Sequence, residues 1–487
     1  MKRITIDPIT RLEGHGKIEI FTNGNGEVDN VYFQVPELRG FEKFCEGRPV
    51  EELAQIVTKI CGVCPGCHHM ASGKAADMVF GVEPPPTAKK LRELFYMAHF
   101  VHSHIAHFYA LAAPDFVVGP TAPAEERNIL GVIKKVGKDI GTEVIKQRRF
   151  AQEIQALLGG HQTHVVMNMP GGVRKGLTEE ERDDIVEKAR GFIEFAKFTL
   201  KIFDDIVLAN KTYVDIILNG PYNLNLHSMG LVDDNNKVNF YDGKVRVVDT
   251  LGAEHCKYVP MDYMDFVEER VEPWSYLKFP YLKKIGWNGF IDGQDSGVYH
   301  ATPLSRLNAA DGMATPLAQK EYERMYATLG GKPVHATLAM HWARLVELLY
   351  SAEHCLELAL DPEITGKELR TPVGKAVGEG VGIVEAQRGT LTHHYWTDEK
   401  GIVQKANIIV GTTNNNAAIC MSLKKAAQGL IKKGTEVTDG ILNMIEMAFR
   451  AYDPCFSCAT HHLPGEMPLV VYIKNEKGEV LETLKWN

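Results

Sequence analysis

The chain has 487 residues, 45% hydrophobic and 24% charged, with a formal net charge of −8. That is the make-up of a globular protein with a large core. The acidic balance, with no Lys/Arg block, argues against a phosphate-backbone binder, so no nucleic-acid partner is expected.

The opening MKRITIDPITRLEG has no apolar segment of the secretory kind. No apolar run reaches the roughly 18 residues a membrane helix needs. No membrane insertion is expected, and the chain is placed in the cytoplasm. The first 35 residues read as strands, with 17–20 and 28–33 flanking the hairpin signal Asn23-Gly24-Asn25-Gly26. A helix is expected from about residue 50, where Pro49, Glu51 and Glu52 suit a first turn, and it runs toward Cys61. Pro84-Pro85-Pro86 is a stop; Thr87 then caps a long helix to about Ala113, ended by Pro114. Long helices follow over 125–158 and 178–216, the second opened by Thr178 with Glu181 at capping-box spacing. Residues 218–335 read as irregular with β-like pieces such as 244–248. A buried helix over 336–360, a glycine-rich loop at 378–382, a strand at 406–410 and helices at 416–431 and 436–449 complete the body. The tail, 469–473 and 475–480, reads as a hairpin. No repeat or linker interrupts the chain. The expected fold is mainly α with small β (α+β): a long-helix bundle with a peripheral antiparallel sheet, one unit over 1–461 and an extension over 462–487.

The chemistry concentrates in two C-x-x-C pairs, Cys61-Gly62-Val63-Cys64 and Cys455-Phe456-Ser457-Cys458. Such a pair can bind a metal from one side or close a redox disulfide. The other five cysteines, Cys45, Cys67, Cys256, Cys355 and Cys420, are scattered and read as core residues. Taken alone, Cys61/Cys64 fits structural zinc or a thioredoxin-like motif, although no βαβ context surrounds it. If the fold brings the two pairs together they supply four thiolates, which suit nickel, zinc or iron without choosing among them.

The flanks are more specific. Thr10-Arg11-Leu12-Glu13-Gly14-His15, Arg39-Gly40-Phe41-Glu42, Ile60 to Cys64 with His68, Ala113-Pro114-Asp115-Phe116, Glu385-Ala386-Gln387-Arg388-Gly389, and Asp453-Pro454-Cys455 to Cys458 with His461 occur in this order. The set resembles the large subunit of nickel-iron hydrogenases, over essentially the whole chain. Arg388-Gly389-Thr390-Leu391-Thr392-His393-His394-Tyr395 is most similar to the cytoplasmic methyl-viologen-reducing type. The resemblance implies the hydrogenase large-subunit fold and reversible heterolytic cleavage of H2. It implies nickel held by Cys61, Cys64, Cys455 and Cys458, with Cys64 and Cys458 bridging to an iron that carries carbonyl and cyanide. Cys455 is the implied base and Glu13 the proton relay. Arg388 would stand over the metals with Asp115 and Asp453 as candidate partners, and His68 would donate toward a bridging thiolate. Glu42 and His461 are the implied ligands of a magnesium ion. The implied partners are a small subunit carrying iron-sulfur clusters and, beyond it, flavin-containing subunits of heterodisulfide-reductase or NAD/ferredoxin-linked type, in an assembly able to bifurcate electrons. Trimming after His461 is also implied. Gln387 stands where the family often has Pro, and Lys59 where it often has Arg. His69, His99, His102, His104 and His107 read as core histidines. A zinc-stabilised scaffold would use the same four thiols. The quinone-site subunit of respiratory complex I shares the fold but lacks the cysteines.

Overall fold

The structure, a computed structural model, describes residues 2–35 and 37–460 together with the strands Leu469–Lys474 and Val480–Trp486. At the centre lies the helix Met340–Leu360, packed on Pro86–Ala106 and Glu179–Phe203. It buries Trp342, Leu345, Leu349 and Ala352 but also Arg344 and Glu347, so it is enclosed on more than one face. Glu179–Phe203 begins with the expected capping box: the Thr178 hydroxyl accepts from Glu181 N, and the Glu181 carboxylate accepts from Thr178 N. Thr87 does not cap its helix. Pro86 is the first helical residue, and the Thr87 hydroxyl donates to the Glu363 carbonyl at 3.0 Å. Nor does Pro114 end that helix. The chain widens into π turns at His107–Ala112 and Pro114–Val118 and stops at Gly119 (φ 120°). Pro114 lies inside this continuous run and forfeits one helical N–H bond, which the wider π spacing accommodates. The stretch expected as one helix over 125–158 is two, Ile129–Val136 and Lys138–Gly159, broken at Gly137 (φ 99°). That over 178–216 is broken by a π turn, Asp204–Leu208, before Lys211–Asn219. Among the described residues no helix is long and apolar enough to cross a membrane.

The strands form small sheets around this bundle. Lys2–Ile6, Lys17–Thr22 and Val28–Gln34 make an antiparallel sheet whose Ile18, Ile20 and Phe33 face the core. The tail strands Leu469–Lys474 and Val480–Trp486 pair antiparallel. The region expected to be irregular holds a four-stranded sheet, in spatial order Tyr299–His300, His227–Val232, Lys244–Val248, Glu254–Tyr258, and the helices Pro303–Ala309 and Pro316–Thr328. These strands are too short and turn-rich for periodicity to mark them.

The glycine-rich loop is in fact a strand, Glu379–Ala386, paired with Gly389–Thr397, which pairs in turn with Val403–Ile409. Its glycines let the helix Pro65–Val79 lie directly on the backbone. A Cβ at Gly382 would come within 1.9 Å of the Ala71 carbonyl oxygen, and one at Gly380 within 2.3 Å of that of Ala75. Backbone cannot yield as a side chain can. Gly382→Ala should therefore cost about 3 kcal/mol, read as a lowered unfolding midpoint. It should also lower bound metal, because this helix carries Cys64 at its N-cap.

Candidate metal centre

Cys61 ends the 3-10 turn Val57–Ile60 in extended conformation, and Cys64 caps Pro65–Val79, whose first residue is Pro65. The second pair follows the helix Asp439–Arg450. Asp453 takes a left-handed φ of 54°, which turns the chain so that Cys455 and Cys458 face the first pair. Three clamps hold this arrangement. Thr412 Oγ1 accepts from Cys455 N at 3.0 Å. The Glu13 carbonyl accepts from Phe456 N at 3.1 Å. Arg39 joins the two loops, its guanidinium donating to the carbonyls of Ile60 (2.5 Å), Lys59 (3.2 Å) and Ser457 (3.3 Å).

The four sulfurs lie within 4.8 Å of one another, all buried. Sγ–Sγ separations are 3.1 Å for Cys61–Cys455, 3.3 Å for Cys64–Cys458 and 2.9 Å for Cys455–Cys458. Burial pushes the Cys455 and Cys458 thiols well up. Hydrogen bonds, first from Cys455 and then from the other thiols, hold Cys61 well down. Such a nest stabilises one thiolate by itself and four only around cations, so the donor set fits soft metal ions.

Glu13 Oε2 lies 3.0 Å from Cys455 Sγ and accepts from Ser457 N at 3.1 Å. Arg388 is buried; its Nη2 lies 2.9 Å from Asp453 Oδ2, its Nε donates to the Asp453 carbonyl at 3.0 Å, and its Nη1 donates to Ser103 Oγ at 3.2 Å. Burial opposes its charge, but Asp453 and the cysteine sulfurs outweigh that and keep it protonated. Asp115 is not a partner of Arg388. It sits on the π turn after Pro114 and is held by Arg11 at 2.5 Å, Arg450 at 3.1 Å and Asn443 at 3.0 Å, which already satisfy it. His68 Nε2 lies 3.5 Å from Cys458 Sγ. Glu42 is buried, and its Oε1 accepts from Ile408 N at 2.6 Å. His461 lies outside the described residues. Gln387 is buried beside Arg388; its Oε1 accepts from Cys67 Sγ at 3.0 Å. Its Nε2 has no partner among the described groups.

The roles of Arg39 and Thr412 as clamps are not legible in the sequence. Arg39 belongs to one of the motifs, but nothing local says its guanidinium bridges two distant loops. Of the histidines set aside as core residues, His69, His99, His104 and His107 are buried and His102 is half-buried, with His99 on Gln155 and His104 on Glu347. Burial lowers His69, His99 and His104 to about 4, and His102 and His341 to about 3. In the unfolded chain each titrates near 6.5, so below that pH protons bind the unfolded state first. The contribution of these histidines should be level above about pH 6.5 and fall as pH drops toward 4, each adding up to about 1.4 kcal/mol per pH unit. Denaturant midpoints at pH 7.5 and 5.5 check this.

A buried nest of four thiols from the two end regions of the chain, with a carboxylate and a guanidinium alongside, defines a protein built around a sulfur-held metal centre. A family description, nickel-dependent hydrogenase, matches residues 39–130 and 295–461, and a HoxL-like one matches 3–38. The chain is 48% identical over 485 residues to an F420-non-reducing hydrogenase iron-sulfur subunit of Archaeoglobus profundus, covering 100% of both. It is 37% identical to the beta chain of the NAD-reducing hydrogenase HoxS of Cupriavidus necator, covering 99% of both. A solved NAD+-reducing [NiFe]-hydrogenase in the H2-reduced state superposes with a TM-score of 0.89 at 36% identity, over 95% of this chain and 100% of that one. The chain belongs to the nickel-dependent hydrogenase family, as the catalytic large subunit of a nickel-iron enzyme acting on H2. The family excludes the zinc scaffold, and the four cysteines exclude the quinone-site relative.

Proposed function

We propose that Cys61, Cys64, Cys455 and Cys458 hold nickel, with Cys64 and Cys458 shared with an iron that carries carbonyl and cyanide, and that Cys455 and Glu13 handle the proton of H2 cleavage. The observation that carries this is Glu13 Oε2 at 3.0 Å from Cys455 Sγ inside the four-thiol nest. When bound, the nickel-iron centre supplies the Lewis acidity and the electron acceptance that split H2 heterolytically. Cys455 Sγ takes the proton, and Glu13 Oε2 receives it within hydrogen-bond reach. Ser457 N keeps that carboxylate in place. Arg388, fixed by Asp453, supplies positive charge over the centre. Gln387 Nε2, a buried donor one residue away, suits an acceptor on a diatomic iron ligand. Asp115 acts at a distance, by bracing Arg450 and Arg11 under the second cysteine loop.

The reading extends to a magnesium ion at Glu42 and His461, for which the buried Glu42 carboxylate is the support. It also extends to partners. The one cluster of metal-binding side chains among the described residues is the thiol nest itself, which supports a small subunit with iron-sulfur clusters as the electron acceptor. The complex would be cytoplasmic and pass electrons on to a flavin-containing partner of heterodisulfide-reductase or NAD/ferredoxin-linked type, capable of bifurcation; the name of the NAD-reducing relative supports the NAD-linked form. Residues 1–461 would be the mature unit and 462–487 an extension removed after metal loading. Purified complex should contain nickel and iron, show infrared bands of metal-bound carbonyl and cyanide, and reduce viologen with H2. Zinc alone, without those bands, would refute the assignment. Intact-mass measurement on active complex tests the trimming.

A further inference from the structure

Two elements bring a second set of side chains behind the thiolates. His68 and Ser72 are one turn apart on the same face of Pro65–Val79. His393 and Tyr395 alternate onto one face of the strand Gly389–Thr397. His394, between them, faces the other way, toward the Tyr263 hydroxyl at 3.0 Å and Glu379 at 2.8 Å. The facing side chains form a line. His68 Nε2 is 3.5 Å from Cys458 Sγ, and His68 Nδ1 is 3.0 Å from His393 Nε2. His393 Nδ1 is 2.6 Å from the Tyr395 hydroxyl, which is 2.9 Å from Ser72 Oγ. His68, Ser72, His393 and Tyr395 are all 0% exposed, so bulk water cannot break in.

From Cys458 to Tyr395 the line has one consistent direction. A neutral imidazole carries one N–H and one lone pair, so fixing one link fixes the next. A metal-held Cys458 thiolate has no proton and can only accept. His68 Nε2–H then donates to it, and His68 Nδ1 accepts from His393 Nε2–H. His393 Nδ1 accepts from the Tyr395 O–H, with Ser72 Oγ, at 2.9 Å, the alternative acceptor for that hydroxyl. We infer that His393 and Tyr395 are positioning residues that lock His68 as a hydrogen-bond donor to the bridging thiolate of Cys458. The inference rests on the reading of Cys458 as a metal thiolate given above. Its consequence is electronic: a hydrogen bond to a ligand sulfur withdraws charge from it and tunes the metals it binds.

The test uses the assembled enzyme and three variants, His393→Leu, His393→Gln and Tyr395→Phe, read by nickel and iron analysis and by infrared spectroscopy. His393→Leu should keep its metals, move the metal-carbonyl band to lower wavenumber and lower H2 turnover about 10-fold or more. Tyr395→Phe should move the band the same way by less. His393→Gln, whose amide can still donate to His68 Nδ1, should return it toward the parent position. If His393→Leu fails to load metal, Tyr395→Phe against the parent decides. Metal-replete variants with bands at parental positions would overturn the inference. A parent enzyme without carbonyl bands would remove the underlying metal reading, and the inference with it.

Discussion

Glu13→Gln should lower H2 turnover by at least about 10²-fold while nickel and iron contents stay at the parental level. Gln keeps the shape and still offers an oxygen to Ser457 N, so the loop that carries Cys455 stays where it is. The backbone link from Phe456 N to the Glu13 carbonyl is untouched. What is lost is a group that can accept a proton from Cys455 Sγ and release it again. Hydrogen-dependent viologen reduction, measured beside elemental analysis of the same preparation, separates the two effects. Turnover within twofold of the parent would show that the proton leaves Cys455 by another route. Loss of metal together with activity would mean that Glu13 is a structural clamp.

The largest effect on stability is expected at Arg306, which is not one of the metal-binding side chains. Its guanidinium is fully buried between Glu347, at 2.6 and 2.8 Å, and Glu385, at 2.8 Å, and it also donates to the Ala386 carbonyl at 2.6 Å. Both carboxylates are 0% exposed. Arg306→Ala leaves two buried negative groups facing a cavity, which should cost about 3–5 kcal/mol. Arg306→Lys keeps the charge but cannot span both carboxylates at once, so it should fall between. Denaturant midpoints and soluble yield give the measurement, and an unchanged midpoint in Arg306→Ala would contradict it. The effect should reach the metal centre, because the strand Glu379–Ala386 runs directly into Gln387 and Arg388. Metal content is expected to fall with stability in this variant, in contrast to Glu13→Gln.

Some of this is open to reading from the chain alone. The long helices declare themselves by length and periodicity, and Thr178 with Glu181 marks a helix start that the structure keeps. The two C-x-x-C pairs and the flanks of Glu13, Arg388 and Asp453 are local patterns, so the hydrogenase family is legible in residues that lie hundreds of positions apart. Other features are not. The strand at 379–386 reads as a loop because its glycines answer to a helix backbone lying on them, a contact no local rule contains. Pro114 reads as a stop because the widened turn that absorbs it depends on what surrounds it. Asp115 pairs with Arg11 and Arg450 rather than with Arg388, and choosing among the three takes distances.

The sequence by itself determined the donor types and the family, because ligand chemistry belongs to side chains. Only the tertiary structure decided which of those groups meet. Whether His68 finds His393 depends on how a helix with a repeat of about 3.6 residues lies across a strand with a repeat of about two. That register is set by packing of the whole core, to which each residue contributes only a small part.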